Sequence, residues 1–508
     1  RCEDFEKETY SSGKDDQTRV LALINPLPFE RNEVVTVDID FPADYPYTFH
    51  EGFGYESKCS FRIVDWEGNE IPYALKGIRR NYTIRRKDQA TEKVHIHTVS
   101  FLAKMPAMGK AEYLIVPVNE PTRYLKLMAA DERSAENETI KLYIHDNGTL
   151  TIQDKRTGKE YSRLMSYIDD GEIGDGWFHV NPVEDRVITS TSSPVSIEKI
   201  EHGPSRVVFR ITTWMNVPEE MDYTRQNIRR SERCTTLKIT SEVGLSMGAA
   251  FVDVTTKIDN NAKDHRMRLK LPTGVRGENY FVNQAFAFVE RKGGINPETH
   301  NWKEADQPEK QMGGIVGKRD ADGTGLAFVS AYGLHECSVP AGDSECSILV
   351  TLFRSIGKTP YTDGEDGGQI LRTLTYRYGL MPLASEDRPA DLQRVQDCLA
   401  AGIRSFSVRV GSDWQPPQPA SPFALNSKDI VLSTLKRPES EEPGCVIARF
   451  VNLSPERAKA EVHSCHNIKQ VVEVNLNEEV TGTPAPVNGT FAFELDPWKI
   501  QTYKIWFE

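Results

Sequence analysis

The stretch Val35-Thr36-Val37-Asp38-Ile39-Asp40-Phe41 alternates apolar and polar side chains without interruption. Successive side chains of a β-strand point to opposite faces, so the pattern predicts a strand whose four apolar side chains share one buried face. The same alternation recurs along the chain, in residues 206–213, 252–258, 491–495 and 503–507. Clusters of Gly, Pro, Asn and Asp separate these runs, as turns do between strands. The sequence therefore predicts an all-β fold.

The clearest helical pattern runs from about Pro389 to Ala401. Its apolar residues recur at three- and four-residue steps, as they do on one face of an α-helix. Pro389 at the start and Gly402 after the end are typical helix boundaries. One short helix among many strands favours several antiparallel β-sandwich domains.

The length of 508 residues allows about three domains, at roughly 150 residues per domain. Changes in composition along the chain suggest where they begin and end. The predicted segments are a polar linker at 1–16, a small β-sandwich domain at 17–120, a large central β-domain at 121–387, a short helix and connector at 388–424, and a C-terminal β-sandwich domain at 425–508.

The balance of charge and hydrophobicity excludes several classes of protein. The net charge is −12, which argues against nucleic acid or an anionic membrane as the main partner. Hydrophobic residues make up 38% of the chain and charged residues 27%, so wholesale disorder is not expected. No stretch approaches the roughly 18 consecutive apolar residues that a membrane-spanning helix needs.

The cysteines and histidines give weak signals for metal or disulfide chemistry. None of the eight cysteines forms a Cys-x-x-Cys pair, so mostly reduced thiols are expected, although Cys337 and Cys346 could pair across a hairpin. His95 and His97 alternate along a predicted strand and could share a metal ion. No third ligand is identifiable, so surface or packing histidines are the favoured interpretation.

The most unusual segment is 169–182, which contains four carboxylates, three glycines, two aromatic residues and His179. Carboxylates accept hydrogen bonds from sugar hydroxyls, and the ring of Trp177 could pack on the apolar face of a sugar. Two carboxylates could also flank a glycosidic bond. A solvated acidic turn and a calcium-binding loop are the alternatives.

Three arginines in predicted strands need separate interpretations. Arg354 lies in the otherwise apolar stretch 348–355, so it is either a paired structural cation or a cation directed into a cleft. Arg266 and Arg268 alternate along another strand, and we predict that they lie on a solvated face.

Six segments, taken in order, resemble the C-terminal half of glycoside hydrolase family 38 α-mannosidases. The segments are 23–31, 105–113, 147–155, 171–182, 349–357 and 473–478 with 495–502. Each motif alone is weak, but six in order form a specific signal. The resemblance implies antiparallel β-sandwich domains that include a large central supersandwich similar to that of galactose mutarotase. It is to the bacterial form of the family, which favours a cytoplasmic location.

The resemblance also implies a retaining mechanism that uses zinc and an Asp nucleophile, both held by an N-terminal catalytic domain. We therefore expect this chain, which begins at Arg1, to be part of a longer enzyme. On this view the chain itself holds no catalytic residue and no zinc ligand. The implied partners are that catalytic domain and an α-mannoside.

The family uses a Tyr of the Gly-Asp loop and an Arg of a later strand near the substrate. Trp177 stands at the Tyr position here and Arg354 matches the Arg, while Asp175 and His179 are weaker candidates for substrate binding. A Trp keeps the stacking face but lacks the phenol. Two other functions stay open at this point, a stand-alone carbohydrate-binding protein without catalysis and a purely structural β-sandwich protein.

Overall fold

A computed structural model describes residues 18–507, except 46–47, 51–56, 86–89, 119–121, 123, 125–126, 225, 358–365, 412–413 and 488. The predicted linker at 1–16 lies outside the described residues. Within them the chain forms many antiparallel strands and a single α-helix, which confirms the all-β prediction. None of the described helices is long and apolar enough to cross a membrane.

The first eight strands form two sheets around one core. The strands are β1 Arg19–Ile24, β2 Arg31–Pro42, β3 Thr48–His50, β4 Ser57–Val64, β5 Glu70–Ile71, β6 Tyr73–Arg85, β7 Thr91–Met105 and β8 Lys110–Val118. Strands β2, β7 and β6 form one sheet, and β3, β4, β8 and β1 belong to the other. The alternation at 35–41 is confirmed, because Val35, Val37, Ile39 and Phe41 are each at most 5% exposed.

The central region is built from the next 21 strands. They are β9 Ser134–Glu136, β10 Ile140–Ile144, β11 Leu150–Asp154, β12 Glu160–Leu164, β13 Ser166–Gly171, β14 Ile188–Thr189, β15 Val195–His202, β16 Arg206–Pro218, β17 Met221–Asp222, β18 Arg229–Arg230, β19 Cys234–Ser246, β20 Val252–Asp259, β21 His265–Leu271, β22 Asn279–Gln284, β23 Ala287–Lys292, β24 Lys310–Gln311, β25 Ile315–Arg319, β26 Gly325–Ser330, β27 Glu336–Ser338, β28 Ile348–Ser355 and β29 Thr373–Leu383. Short 3₁₀ turns occur at Ser190–Ser192, Pro297–Asn301 and Asp366–Gly368.

These strands form sheets that enclose one large hydrophobic core. A nine-stranded sheet has the order β15-β16-β19-β20-β29-β26-β25-β22-β23, and a six-stranded sheet has the order β14-β13-β21-β28-β27-β24. A four-stranded sheet of β12, β11, β10 and β9 adds to the same core. The six-stranded sheet sends Met267, Leu269, Cys337 and Val350 into this core. Its alternate residues face outward, and they carry the candidate site.

Helix α1 spans Pro389–Ala400, which confirms the predicted helix to within one residue at its end. The Asp391 carboxylate accepts a hydrogen bond of 2.9 Å from the Arg388 amide, so the first turn of the helix is capped. After the helix, β30 Arg404–Arg409 pairs with β1 in the first sheet. The predicted connector at 388–424 therefore contains a strand of the first domain's sheet.

The last region contains β31 Ala424–Asn426, β32 Ile430–Lys436, β33 Cys445–Asn452, β34 Ala458–His463, β35 Ile468–Val474, β36 Ala485–Pro486, β37 Thr490–Leu495 and β38 Ile500–Phe507. A five-stranded and a three-stranded sheet pack around Phe450, Val462 and Ile505. This arrangement is a small antiparallel sandwich with its own core.

The structure also decides between the alternatives left open for cysteine and histidine. Cys337 and Cys346 are both free thiols, so no disulfide links them. His97 is buried and packs edge-on against Phe41 and Phe61, with ring centroids 5.5 and 5.9 Å away. Its surroundings are those of a core histidine.

Arg31 joins the first region to the end of helix α1. Its side chain is 2% exposed, and it donates to the carbonyl oxygens of Ala401 at 3.0 Å and Cys398 at 3.2 Å. We expect Arg31→Ala to lower the free energy of unfolding by about 3 kcal/mol, because the last carbonyls of the helix lose a charged donor. Urea unfolding followed by circular dichroism measures this change. Arg233→Ala, at a side chain that is 73% exposed, is the control and should change stability by less than about 0.5 kcal/mol.

Candidate functional site

Strand β13 ends in carboxylates that are buried. Asp169 and Asp170 are 0% and 2% exposed, and Glu172, just after the strand, is 0% exposed. A solvated acidic turn is therefore ruled out at these positions. Buried carboxylates are stable only when charges or hydrogen bonds compensate them. The Asp169 carboxylate contacts the Arg230 guanidinium and lies 2.5 Å from Nδ1 of His265.

Asp170 points to the other face of the sheet, where it meets two arginines of β21. Arg266 donates to both of its oxygens, at 3.0 and 2.7 Å, and Arg268 donates to Oδ2 at 2.7 Å. Arg266 also contacts Glu309. Burial raises the pKa of Asp170, but the two arginines outweigh it and hold this pKa below its usual range. The prediction that Arg266 and Arg268 lie on a solvated face is wrong, since both belong to a buried ion network.

Glu172 organises the loop that follows β13. Its Oε1 accepts hydrogen bonds from the amides of Gly174 at 2.7 Å and Val180 at 3.2 Å. Its Oε2 accepts one from Nε of Arg354 at 2.7 Å and lies 2.7 Å from Nδ1 of His179. Burial raises the pKa of Glu172, but the bonds from His179 and Arg354 lower it to about 2. One carboxylate thus joins both ends of the loop to strand β28.

Arg354 is a paired cation that also reaches a cavity. Besides its bond to Glu172, its Nη2 donates to the carbonyl oxygens of Asp175 and Phe178, each at 2.6 Å. Its Nη1 makes no hydrogen bond to the described residues. Both alternatives left open by the sequence therefore hold in part, because the side chain is ion-paired and also lines the cavity beside the loop.

The remaining predicted residues lie on the same loop in different surroundings. The Asp175 carboxylate accepts hydrogen bonds from the amides of Trp177 at 2.8 Å and Phe178 at 3.0 Å, so it closes a tight turn. The Trp177 side chain is at the surface, with 66% of the residue exposed. The structure therefore brings Arg354, His179 and the Asp175 backbone together around Glu172, and it presents Trp177 to solvent.

A cavity of about 520 Å³ opens beside the loop on the outer face of the six-stranded sheet. Its lining includes Gly176 of the loop and polar side chains of the sheet, among them Glu309, Gln311, Glu336, Thr351 and Arg354. Sequence reasoning missed the roles of Glu172, Glu309 and Glu336. Glu172 was visible as one of four clustered carboxylates, but its partner Arg354 lies far along the chain. Glu336 lies between His335 and Cys337, and no motif in the sequence connected it with the loop.

Comparison with known proteins places this site in a family. Residues 135–343 match the glycosyl hydrolases family 38 C-terminal domain, and residues 429–503 match the family 38 C-terminal beta sandwich domain. Three of the six sequence motifs lie within these matches, 147–155, 171–182 and 473–478 with 495–502, and the first match includes the whole Glu172 loop. The chain belongs to glycoside hydrolase family 38.

The chain spans only part of the length of the relatives that it matches. A protein of Halalkalibacterium halodurans, provisionally named a mannosylglycerate hydrolase, is 30% identical over 259 residues, which is 48% of this chain and 28% of the relative. Two crystal structures from Enterococcus faecalis share the fold. One is a family 38 protein with a TM-score of 0.79 and 21% identity, and the other is an alpha-mannosidase with 0.77 and 22%. Each is matched over 96% of this chain, which spans 58% and 56% of their lengths.

The zinc that the family resemblance implies does not fit the described residues. No group of three His, Cys, Asp or Glu side chains in the described part of the chain is arranged to hold a metal ion. The carboxylates at the end of β13, Asp169, Asp170 and Glu172, are each bound by an arginine. We therefore assign no zinc-dependent step to these residues.

The low pKa of Glu172 predicts how the stability of this family 38 domain depends on pH. The carboxyl group has a pKa of about 2 in the folded chain against an ordinary 4.5, so its ionised form stabilises the fold above pH 4.5. That contribution is lost as the pH falls through 2. Glu172→Gln should cost about 3 kcal/mol at neutral pH, at about 1.4 kcal/mol for each pH unit between the two values. The cost should shrink steadily below pH 4.5.

Urea unfolding of the wild type and the variant at pH 7, 4 and 3 measures this dependence. Glu132→Gln is the control, because the Glu132 side chain is 84% exposed. A cost at position 172 that stays constant across these pH values would contradict the assigned ion pair.

Arg354→Ala should destabilise the same region by about 3 to 5 kcal/mol, because it leaves the buried Glu172 carboxylate without its guanidinium partner. Arg354→Lys should cost less, since it keeps the charge but not the forked donors to Asp175 and Phe178. A double-mutant cycle with Glu172→Gln measures the coupling. Strictly additive effects of the two single changes would argue against a direct pair.

Proposed function

We propose that the chain is the β-rich C-terminal part of a retaining, zinc-dependent α-mannosidase, and that it shapes the substrate cleft. The observation that carries the proposal is the pair of family 38 C-terminal matches, the first of which contains the Glu172 loop. Arg354, which lies just after that first match, holds the loop through its bond to Glu172. The nucleophile and the zinc ligands would belong to the N-terminal catalytic domain of the same protein. This chain would then act through the loop and the adjoining cavity.

In this proposal the loop contributes a rigid wall to the cleft. Trp177 offers an exposed ring, and an aromatic face packs well on the apolar face of a mannosyl unit. Arg354 acts first as a positioning residue, because it fixes the loop through two carbonyl oxygens. Its Nη1 is left to donate to a hydroxyl of the substrate. Asp175 and His179 support the wall from within the loop.

Substitution of Trp177 in the full-length enzyme tests this role. Trp177→Ala should lower kcat/KM for 4-nitrophenyl α-mannoside about tenfold, the equivalent of about 1.4 kcal/mol of transition-state stabilisation. Trp302→Ala is a matched control, because Trp302 is 64% exposed on a different segment of the same region. Equal kinetics for the two variants, with both folded, would refute the proposed wall.

A carbohydrate-binding protein without catalysis is the second candidate, and the exposure of Trp177 is the observation that favours it. Calorimetric titration of the chain alone with α-mannosides separates the two functions. Binding that Trp177→Ala abolishes, with no hydrolysis by the full-length protein, would favour this candidate. Zinc-dependent hydrolysis of α-mannosides by the full-length protein would favour the enzyme.

A further inference from the structure

The cavity beside the loop has a floor that includes polar side chains aligned across three strands, Gln311 of β24, Glu336 of β27 and Thr351 of β28. Gln311 pairs with Glu336, and the antiparallel pairing of β27 with β28 puts Glu336 beside Thr351. Thr351 in turn pairs with Arg268. The alternate residues of the same strands, such as Cys337 and Val350, lie in the hydrophobic core. The floor is thus the outward face of the sheet, and this row of three side chains is polar, although Ile356 also lines the cavity.

Glu336 is the unusual member of this floor. Its Oε1 is buried but accepts no hydrogen bond from any residue that the structure describes. A buried acceptor that stays unpaired is costly, and it attracts a ligand that brings a donor. The thiol next to it in sequence, Cys337, is packed in the core and cannot serve as that donor.

The arginine, the lysine and the other glutamate of the described lining are each ion-paired. Arg354 pairs with Glu172, Glu309 with Arg266, and Lys310 with Asp306. In contrast, the Glu336 carboxylate has no ion partner among the described residues. A carboxylate or phosphate ligand would meet this uncompensated negative charge, whereas a neutral hydroxyl would donate to it.

We propose that this cavity is a subsite for a neutral, polyhydroxylated leaving group, a second sugar unit, bound by Glu336, Thr351 and Gln311. The inference rests on the proposed function, since Arg354 lines the cavity and would adjoin the mannosyl unit there. The volume of about 520 Å³ falls in the range of small-molecule sites. A sugar hydroxyl can donate to Glu336 and accept from Thr351 or from Nη1 of Arg354. A nitrophenyl group has no hydroxyl to donate, and an acid brings a second negative charge beside Glu336.

Kinetics of the full-length enzyme with three substrates test the subsite. The substrates are α-linked mannobioses, 4-nitrophenyl α-mannoside, and α-mannosylglycerate, whose leaving group is an acid. In Glu336→Ala, the ratio of kcat/KM for mannobiose to kcat/KM for the aryl mannoside should fall about tenfold or more. The ratio of mannosylglycerate to the aryl mannoside should rise, because a repelling carboxylate is removed.

Two further variants keep the test decisive. Thr351→Val preserves the shape of the side chain and removes its hydroxyl, so the mannobiose ratio should fall several-fold even if Glu336→Ala folds poorly. Glu132→Ala, at an exposed glutamate, should leave the ratio unchanged.

Three results would count against the subsite, and they differ from one another. Unchanged ratios in both floor variants would overturn the subsite alone. An equal loss for all three substrates together with a lower Tm would assign Glu336 a structural role and also overturn it. A wild-type enzyme that hydrolyses no α-mannoside would overturn the proposed function and the subsite with it.

Discussion

The ion pair between Glu172 and Arg354 is the interaction on which the candidate site depends. It connects the loop after β13 to strand β28, and each partner also binds backbone groups of the loop. Removal of either side chain leaves a buried charge together with loose amides or carbonyl oxygens. The pair links the loop after β13 to β28, and both strands adjoin β21, so it also ties the loop to the sheet that forms the cavity floor.

The neighbouring carboxylates extend the same principle. Asp169 and Asp170 point to opposite faces of β13, and each is met by cations from different strands, Arg230 from β18 and Arg266 from β21. A single buried carboxylate of this kind is rarely replaceable by an apolar residue, because removal of one partner leaves the other as a buried charge without compensation. Most charged side chains in this region therefore stabilise the fold through ion pairs, and Glu336, which has no ion partner among the described residues, is the exception.

The sequence predicted the fold well because period-two alternation reports directly on which face of a strand is buried. The run at 35–41 and the helix near Pro389 were both identified from local pattern alone. The same logic failed at Arg266 and Arg268, because alternation separates two faces but does not say what covers the outer one. There, Asp170 and Glu309 cover it, and neither is near these arginines in sequence.

The site could be predicted only in part for a related reason. The clustering of acidic residues at 169–182 drew attention to the right loop, and the family motif drew attention to Arg354. The loop and Arg354 are joined by a contact between residues 182 positions apart in sequence, and local spacing holds no information about such a contact. The polar floor of the cavity depends on strand register, so Glu336 and Thr351 become neighbours only when β27 and β28 pair.

Strand β30 has a consequence for how this chain acquires its structure during synthesis. The first sheet is incomplete until β30 pairs with β1, and the whole central region is translated between the two. A ribosome-bound chain that has finished the first eight strands would still expose the free edge of β1, including its backbone donors and acceptors. The first sheet can therefore be completed only late in translation, and a fragment cut before residue 404 would keep an exposed strand edge that favours aggregation.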